Sequence, residues 1–338
     1  MVNILITCIF AQVAFLSIGY TQQSIEGFSP SLIDPSFKGI EEAIRSPDFP
    51  MSEAEVRETL RNIDHLMPTM QSASDIRFTW TLDKLNEFDL FNEALKVSKG
   101  VDVFTAMPLI ERPSRLKAYN KKLISIIAHE YGHAVLNRNL LLDSPHAARF
   151  FEDLQSSAKR SHRRTVPTRL HQHTLLFLAY HELFADTLAF MQSGDPKVIK
   201  AHLDKIFGPG MFGNIYYRQF LYPPAKSHHK LWNSEMGKQS LTGNFNYYAL
   251  FWPVRTQIAE LYKSKKLKPQ EILYLLYKVI IEESRSLTQP DFKIDPMELN
   301  RRFSEQITKR AKTLKAEFRA ASRSNSPDLT CSKLFSKR

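Results

Sequence analysis

From residue 51 onward, apolar positions recur at intervals of three and four with few interruptions. This is the spacing of one buried helix face. The first such stretch, MSEAEVRETLRNIDHLM at 51–67, has Ser52 placed to cap it and Glu55 three residues on, a capping-box arrangement that Pro68 closes. Two segments then switch toward a strand pattern: IRFTWTL at 76–82, and VDVFTAM at 101–107, where apolar and polar residues alternate. Leu85 to Lys99 between them reads as helix. Beyond Leu116 the pattern predicts helices at 116–140, 147–160, 170–193, 196–206, 245–264, 269–285 and 296–322, with Pro269 opening the sixth. The stretch 207–245 carries five glycines and Pro209, Pro223 and Pro224. It reads as a long irregular connection or a lid beside a site. The expected class is α+β and predominantly helical, with two or three strands ahead of a helical lobe.

Two of these helices carry polar residues where the surrounding pattern is apolar. In KKLISIIAHEYGHAVLNRNLL, Leu123, Ile126, Ile127, Tyr131, Ala134 and Val135 mark a buried helix, and His129 and His133 stand four apart on one of its faces. Two imidazoles so placed can bind one zinc ion. Glu130 is rotated about 100° around the axis, where it can address a metal-bound water rather than the metal. Gly132 inside a helix costs up to about 1 kcal/mol against Ala, which makes sense where another backbone passes close by. The bland alternative, a surface helix with two incidental histidines, fits poorly with such apolar flanks.

A catalytic zinc held by two histidines needs a third protein ligand and an open position. The metzincin continuation fails, because Leu136 and Asn139 stand where Gly and His would be required. LLFLAYHELFADTLAF at 175–190 is apolar nearly all round, yet carries Glu182 and Asp186 four apart. Buried carboxylates need compensation. Glu182 as metal ligand, with Asp186 accepting the other N–H of a ligating histidine, would satisfy both. Small Ala185 would permit close helix approach. His181, His171 and His173 are the alternative ligands.

HEYGH followed by ELFAD resembles the gluzincin pattern HExxH…ExxAD and is M48-like in form. The resemblance covers about 115–195, less than a third of the chain. It implies a zincin-like fold, with a small N-terminal sheet beside the HExxH helix and a C-terminal helical lobe supplying Glu182. It also implies one Zn2+ held by His129, His133 and Glu182, and hydrolysis of peptide bonds in protein or peptide substrates with Glu130 as general base. An oxyanion-stabilising His, Tyr or Arg is expected from the C-terminal lobe, with His228, His229, Tyr247, Tyr248 and Arg255 left open. The 48 residues between His133 and Glu182 do not define a subfamily. A catalytically silent zincin-fold binding module is the competing reading, and retention of Glu130 argues against it.

Charge changes this picture little. The chain of 338 residues has a formal net charge of +11. Its cationic clusters at 160–164, at 263–268 and beyond Lys309 are not interleaved with aromatics, so no nucleic-acid partner is expected. Residues 4–18, ILITCIFAQVAFLSI, suit the core of a signal peptide with cleavage after Gly19, although no basic residue precedes them. The expected organisation is a signal peptide or membrane anchor at 1–20 and a linker or prosegment at 21–50. The metallopeptidase domain follows at 51–323, with a basic tail at 324–338. Export is expected, to the periplasm, the exterior or a membrane surface. Cys8 and Cys331 offer no structural disulfide once the first segment is removed.

Overall fold

Ser52 caps the first helix as its sequence predicts. Its Oγ accepts from the Glu55 amide at 3.3 Å while its own amide donates to Glu55 Oε2 at 2.7 Å. The helix, α1 (Glu53–Asp64), buries Val56, Leu60 and Ile63 along one face. A computed structural model describes residues 52–71, 77–79, 102–104, 120–160, 170–201, 213–243 and 245–324. The expected signal segment and linker, the helix at 85–99 and the tail beyond 324 lie outside the described residues.

The α+β expectation is corrected. The interpretable part of the chain is 79% helical. Extended structure among the described residues amounts to β1 (Arg77–Thr79) and β2 (Asp102–Phe104), three residues each, paired in parallel. A ladder that short forms no layer, so the small N-terminal sheet of a zincin-like fold is not present among the described residues. Alternation at 76–82 and 101–107 signalled extended backbone. Strands need neighbours to become a sheet, and a periodicity within one segment does not supply them.

The helices that follow are α2 (Asn120–Asp143), α3 (Pro145–Arg160) and α4 (His171–Ser193). A 3-10 helix (Gly213–Arg218) leads to α5 (Lys226–Thr242), α6 (Tyr247–Leu250), α7 (Trp252–Lys263) and α8 (Pro269–Glu283). A second 3-10 helix (Ser284–Thr288), α9 (Pro296–Ala311) and α10 (Leu314–Ser324) follow. The stretch read as a long irregular loop therefore contains a helix, α5. Its pattern is weak because only Trp232 and Met236, four apart, are buried.

The helix expected over 245–264 breaks at Phe251, and Pro253 explains the break. Proline has no N–H to give the Ala249 carbonyl, which instead accepts from Trp232 Nε1 at 2.8 Å. The neighbouring carbonyls are met in the same way: Tyr248 by Arg255 Nη1 at 3.0 Å, and Leu250 by Asn300 Nδ2 at 2.8 Å.

Helix α4 is the axis of the core. It is apolar all round and touches α2, α6, α7, α8 and the second 3-10 helix. It is long and apolar enough to cross a membrane, but 94% of its apolar window is buried within the protein. Its most extensive contact is with α2, and Gly132 is where the two meet. A Cβ there would lie 3.0 Å from Ala185 Cα and 3.3 Å from Leu188 Cδ2. The glycine cost inferred from the sequence thus purchases a close helix crossing that carries both site helices.

Candidate metal centre

The crossing at Gly132 and Ala185 places His133, one residue along α2, and Glu182, one turn back along α4, opposite each other. His129 Nε2 and His133 Nε2 are 3.1 Å apart. Glu182 straddles them, with Oε2 at 3.6 Å from His129 Nε2 and Oε1 at 3.6 Å from His133 Nε2. Tetrahedral zinc with bonds of about 2.0–2.1 Å spaces its ligand atoms about 3.3–3.4 Å apart. The Nε2–Nε2 edge of 3.1 Å is close to that spacing, and one ligand atom from each of the three residues lies within 4.8 Å of the others, so the residues fit such an ion. His129, His133 and Glu182 form a group that can hold a metal ion. His133 and Glu182 keep 18% and 12% side-chain exposure, so the group is reachable from solvent on their side. At its back, Asp186 is fully buried.

Asp186 holds the rest of the site in place. Its Oδ1 lies 3.2 Å from His129 Nδ1, so the Nδ1 edge of the ring faces Asp186 and Nε2 faces Glu182. Two arginines neutralise it: Arg255 Nη2 at 2.7 Å, and Arg218 through Nη2 at 2.6 Å and Nε at 3.1 and 3.2 Å. Burial alone would raise the Asp186 pKa, but Arg218, Arg255 and His129 outweigh it and hold the carboxylate ionised far below its usual range. Burial also raises the Glu182 pKa, opposed by Arg218 and His129. Burial, then the neighbouring His129, His181 and Arg218, push His133 well below the ordinary imidazole value. The neutral imidazole is the form that ligates metal.

Arg218 was not singled out by the sequence. Two carboxylates on an apolar helix demand cations nearby, but nothing in the pattern says which arginine answers. The chain brings Arg218 in at the end of the first 3-10 helix, which packs on α6. Its guanidinium lies 4.6 Å from the Tyr248 ring centroid.

The remaining candidates fall in different places. The Glu130 backbone is helical, and its side chain lies outside the described residues. His181 is buried, its ring 4.5 Å from Phe177 and 5.8 Å from His133, and burial pushes it down to about 3. It is not in the ligand group. His173 Nε2 pairs with the Gln289 carbonyl at 3.0 Å, on a different face of α4. Arg255 is fully buried and committed to Asp186 and the Tyr248 carbonyl. His228 pairs with Tyr216, and His229 packs edgewise on Trp252. Tyr247 and Tyr248 join hydroxyls at 3.0 Å, and both feel the Glu182 charge. No protein-family model, curated protein or solved structure matches this chain.

Proposed function

We propose that this protein is a zinc-dependent metallopeptidase with the gluzincin ligand pattern, hydrolysing protein or peptide substrates. The observation that supports this most is the His129–His133–Glu182 group, one ligand atom from each within 4.8 Å of the others, with an aspartate behind one histidine. The two-histidine, one-carboxylate set leaves a position for water and suits hydrolysis. Bound there, zinc would acidify a water and polarise a carbonyl oxygen.

The chain's own residues have separate tasks in this reading. Glu130, next to His129 on α2, takes the proton from water and returns it to the leaving amine. Asp186 keeps His129 in the Nδ1–H tautomer. Burial keeps His133 neutral. The Tyr247 and Tyr248 hydroxyls are the candidates for a donor to the developing oxyanion, since Arg255 is spent on Asp186. The apolar segment at 4–18 supports export.

The test is zinc stoichiometry and cleavage of casein or a peptide library, with wild type beside Glu130→Gln. One zinc in both proteins and cleavage by wild type alone is the expected result. One zinc in both with cleavage by neither would favour the silent binding module. No zinc in either would remove the ligand assignment and the peptidase reading with it.

A further inference from the structure

Arg218 touches more than the aspartate behind the site. Its Nη2 donates to Glu182 Oε2 at 2.9 Å and lies 3.3 Å from His129 Nε2, with its N–H directed at that nitrogen. Both atoms belong to residues of the group that can hold a metal ion. The Nδ1 edge of His129 is turned to Asp186, so Nε2, the nitrogen free to ligate, is the one Arg218 addresses. A dication needs that nitrogen's lone pair.

We propose that Arg218 is a built-in competitor for the metal: its guanidinium occupies the Glu182 and His129 lone pairs that a dication must use, so Arg218 sets the metal affinity of the site. The proposal rests on the metal-site reading above. A residue that merely braced Glu182 from behind would have no reason to approach the ligating nitrogen of His129. Charge points the same way. Glu182 and Asp186 are already balanced by Arg218 and Arg255, so a divalent cation arriving beside them meets a site that is neutral without it. The guanidinium can release Glu182 without leaving the site, because Nε remains 3.1 and 3.2 Å from Asp186 and the Tyr248 ring supports its face. Arg218 would then act as a reversible plug, held by Asp186 and exchanging with metal at Glu182.

Zinc affinity by competition with a chromogenic chelator tests this on the full chain, comparing wild type, Arg218→Gln, Arg218→Lys and His129→Ala. Thermal melts are run on the same proteins with zinc and with excess chelator. Arg218→Gln is expected to bind zinc at least about tenfold more tightly than wild type, and to melt lower than wild type only in chelator. Arg218→Lys keeps the charge on a single nitrogen that cannot bridge Asp186 and Glu182 together, so it should fall between the two. It also serves as the deciding variant should Arg218→Gln not fold. Unchanged or weaker zinc binding in the Arg218 variants, with His129→Ala still abolishing it, would overturn the proposal and leave the metal site standing. Zinc binding that is absent from wild type, or indifferent to His129→Ala, would overturn both.

Discussion

Among the described residues, two ionic clusters lie against helix α4 and are built differently. Around Glu283, each charge has a dedicated partner. Arg302 Nη2 meets its Oε2 at 3.0 Å, and Gln306 Nε2 meets Oε1 at 2.8 Å. Nearby, Tyr180 donates to the Glu283 carbonyl at 3.1 Å, and the Ser144 and Ser284 hydroxyls pair at 2.5 Å. Nothing converges there, and the contacts join α4, α8 and α9. Around Glu182 and Asp186, four basic side chains and two carboxylates share atoms, and three ligand-type atoms turn toward one point. The first arrangement ties helices together. The second concentrates lone pairs at the cost of crowding charges, a cost that stability alone would not select.

Several substitutions would break or sharpen this contrast. The largest effect is expected on zinc. His129→Ala or His133→Ala should weaken binding by more than about 100-fold by chelator competition, while Glu283→Gln leaves it unchanged. Asp186→Asn comes next. It strands two buried guanidiniums and should cost on the order of 3–5 kcal/mol in denaturant unfolding. Glu283→Gln removes the carboxylate partner of the partly exposed Arg302 but also spares a buried charge its desolvation, so at neutral pH it should cost less than about 1 kcal/mol.

The pH dependence at Glu283 separates the clusters further. Burial raises its pKa above the ordinary 4.5, against Arg302, so the folded carboxyl holds its proton to higher pH than the unfolded one. Its contribution to stability is therefore full below 4.5 and is lost as pH rises through the raised value. Melting of wild type and Glu283→Gln across that window should show the decline only in wild type. An intermediate effect, about 1–3 kcal/mol, is expected for Gly132→Ala, whose new methyl must push α2 from the Ala185 backbone 3.0 Å away. If zinc affinity falls as well, the crossing sets ligand spacing as well as packing. Least of all, Arg301→Ala on the exposed face of α9 should leave both melting and zinc binding unmoved, although Arg301 meets Glu298 and Glu305.

The helices were largely legible in the pattern. The capping box at Ser52 and Glu55, the presence of α2, the extent of α4, and the meaning of Gly132 and Ala185 all follow from spacing and residue size. Pro253 was a legible break that the longer periodicity of 245–264 masked. Helix α5 was hidden because a helix that buries two side chains leaves almost no stripe. The sheet was over-read, because alternation in a short segment is a local property and a sheet is not.

What the sequence determined by itself about the site is a set of one-dimensional facts. His129 and His133 share a face because 3.6 residues make a turn. Glu182 and Asp186 share a face for the same reason, and the apolar residues around them require that they be buried. Their meeting was an inference from what buried carboxylates need. The tertiary structure decided how these faces meet: the 3.1 and 3.6 Å spacing of the ligand atoms, the pairing of Asp186 with His129, and the arrival of Arg218 and Arg255. Arg218 is 32 residues from Asp186 and Arg255 is 69. No periodicity spans such distances. Charge balance in a buried site demands that some cation come, and only the folded chain determines which cation it is and how close it comes to His129, His133 and Glu182.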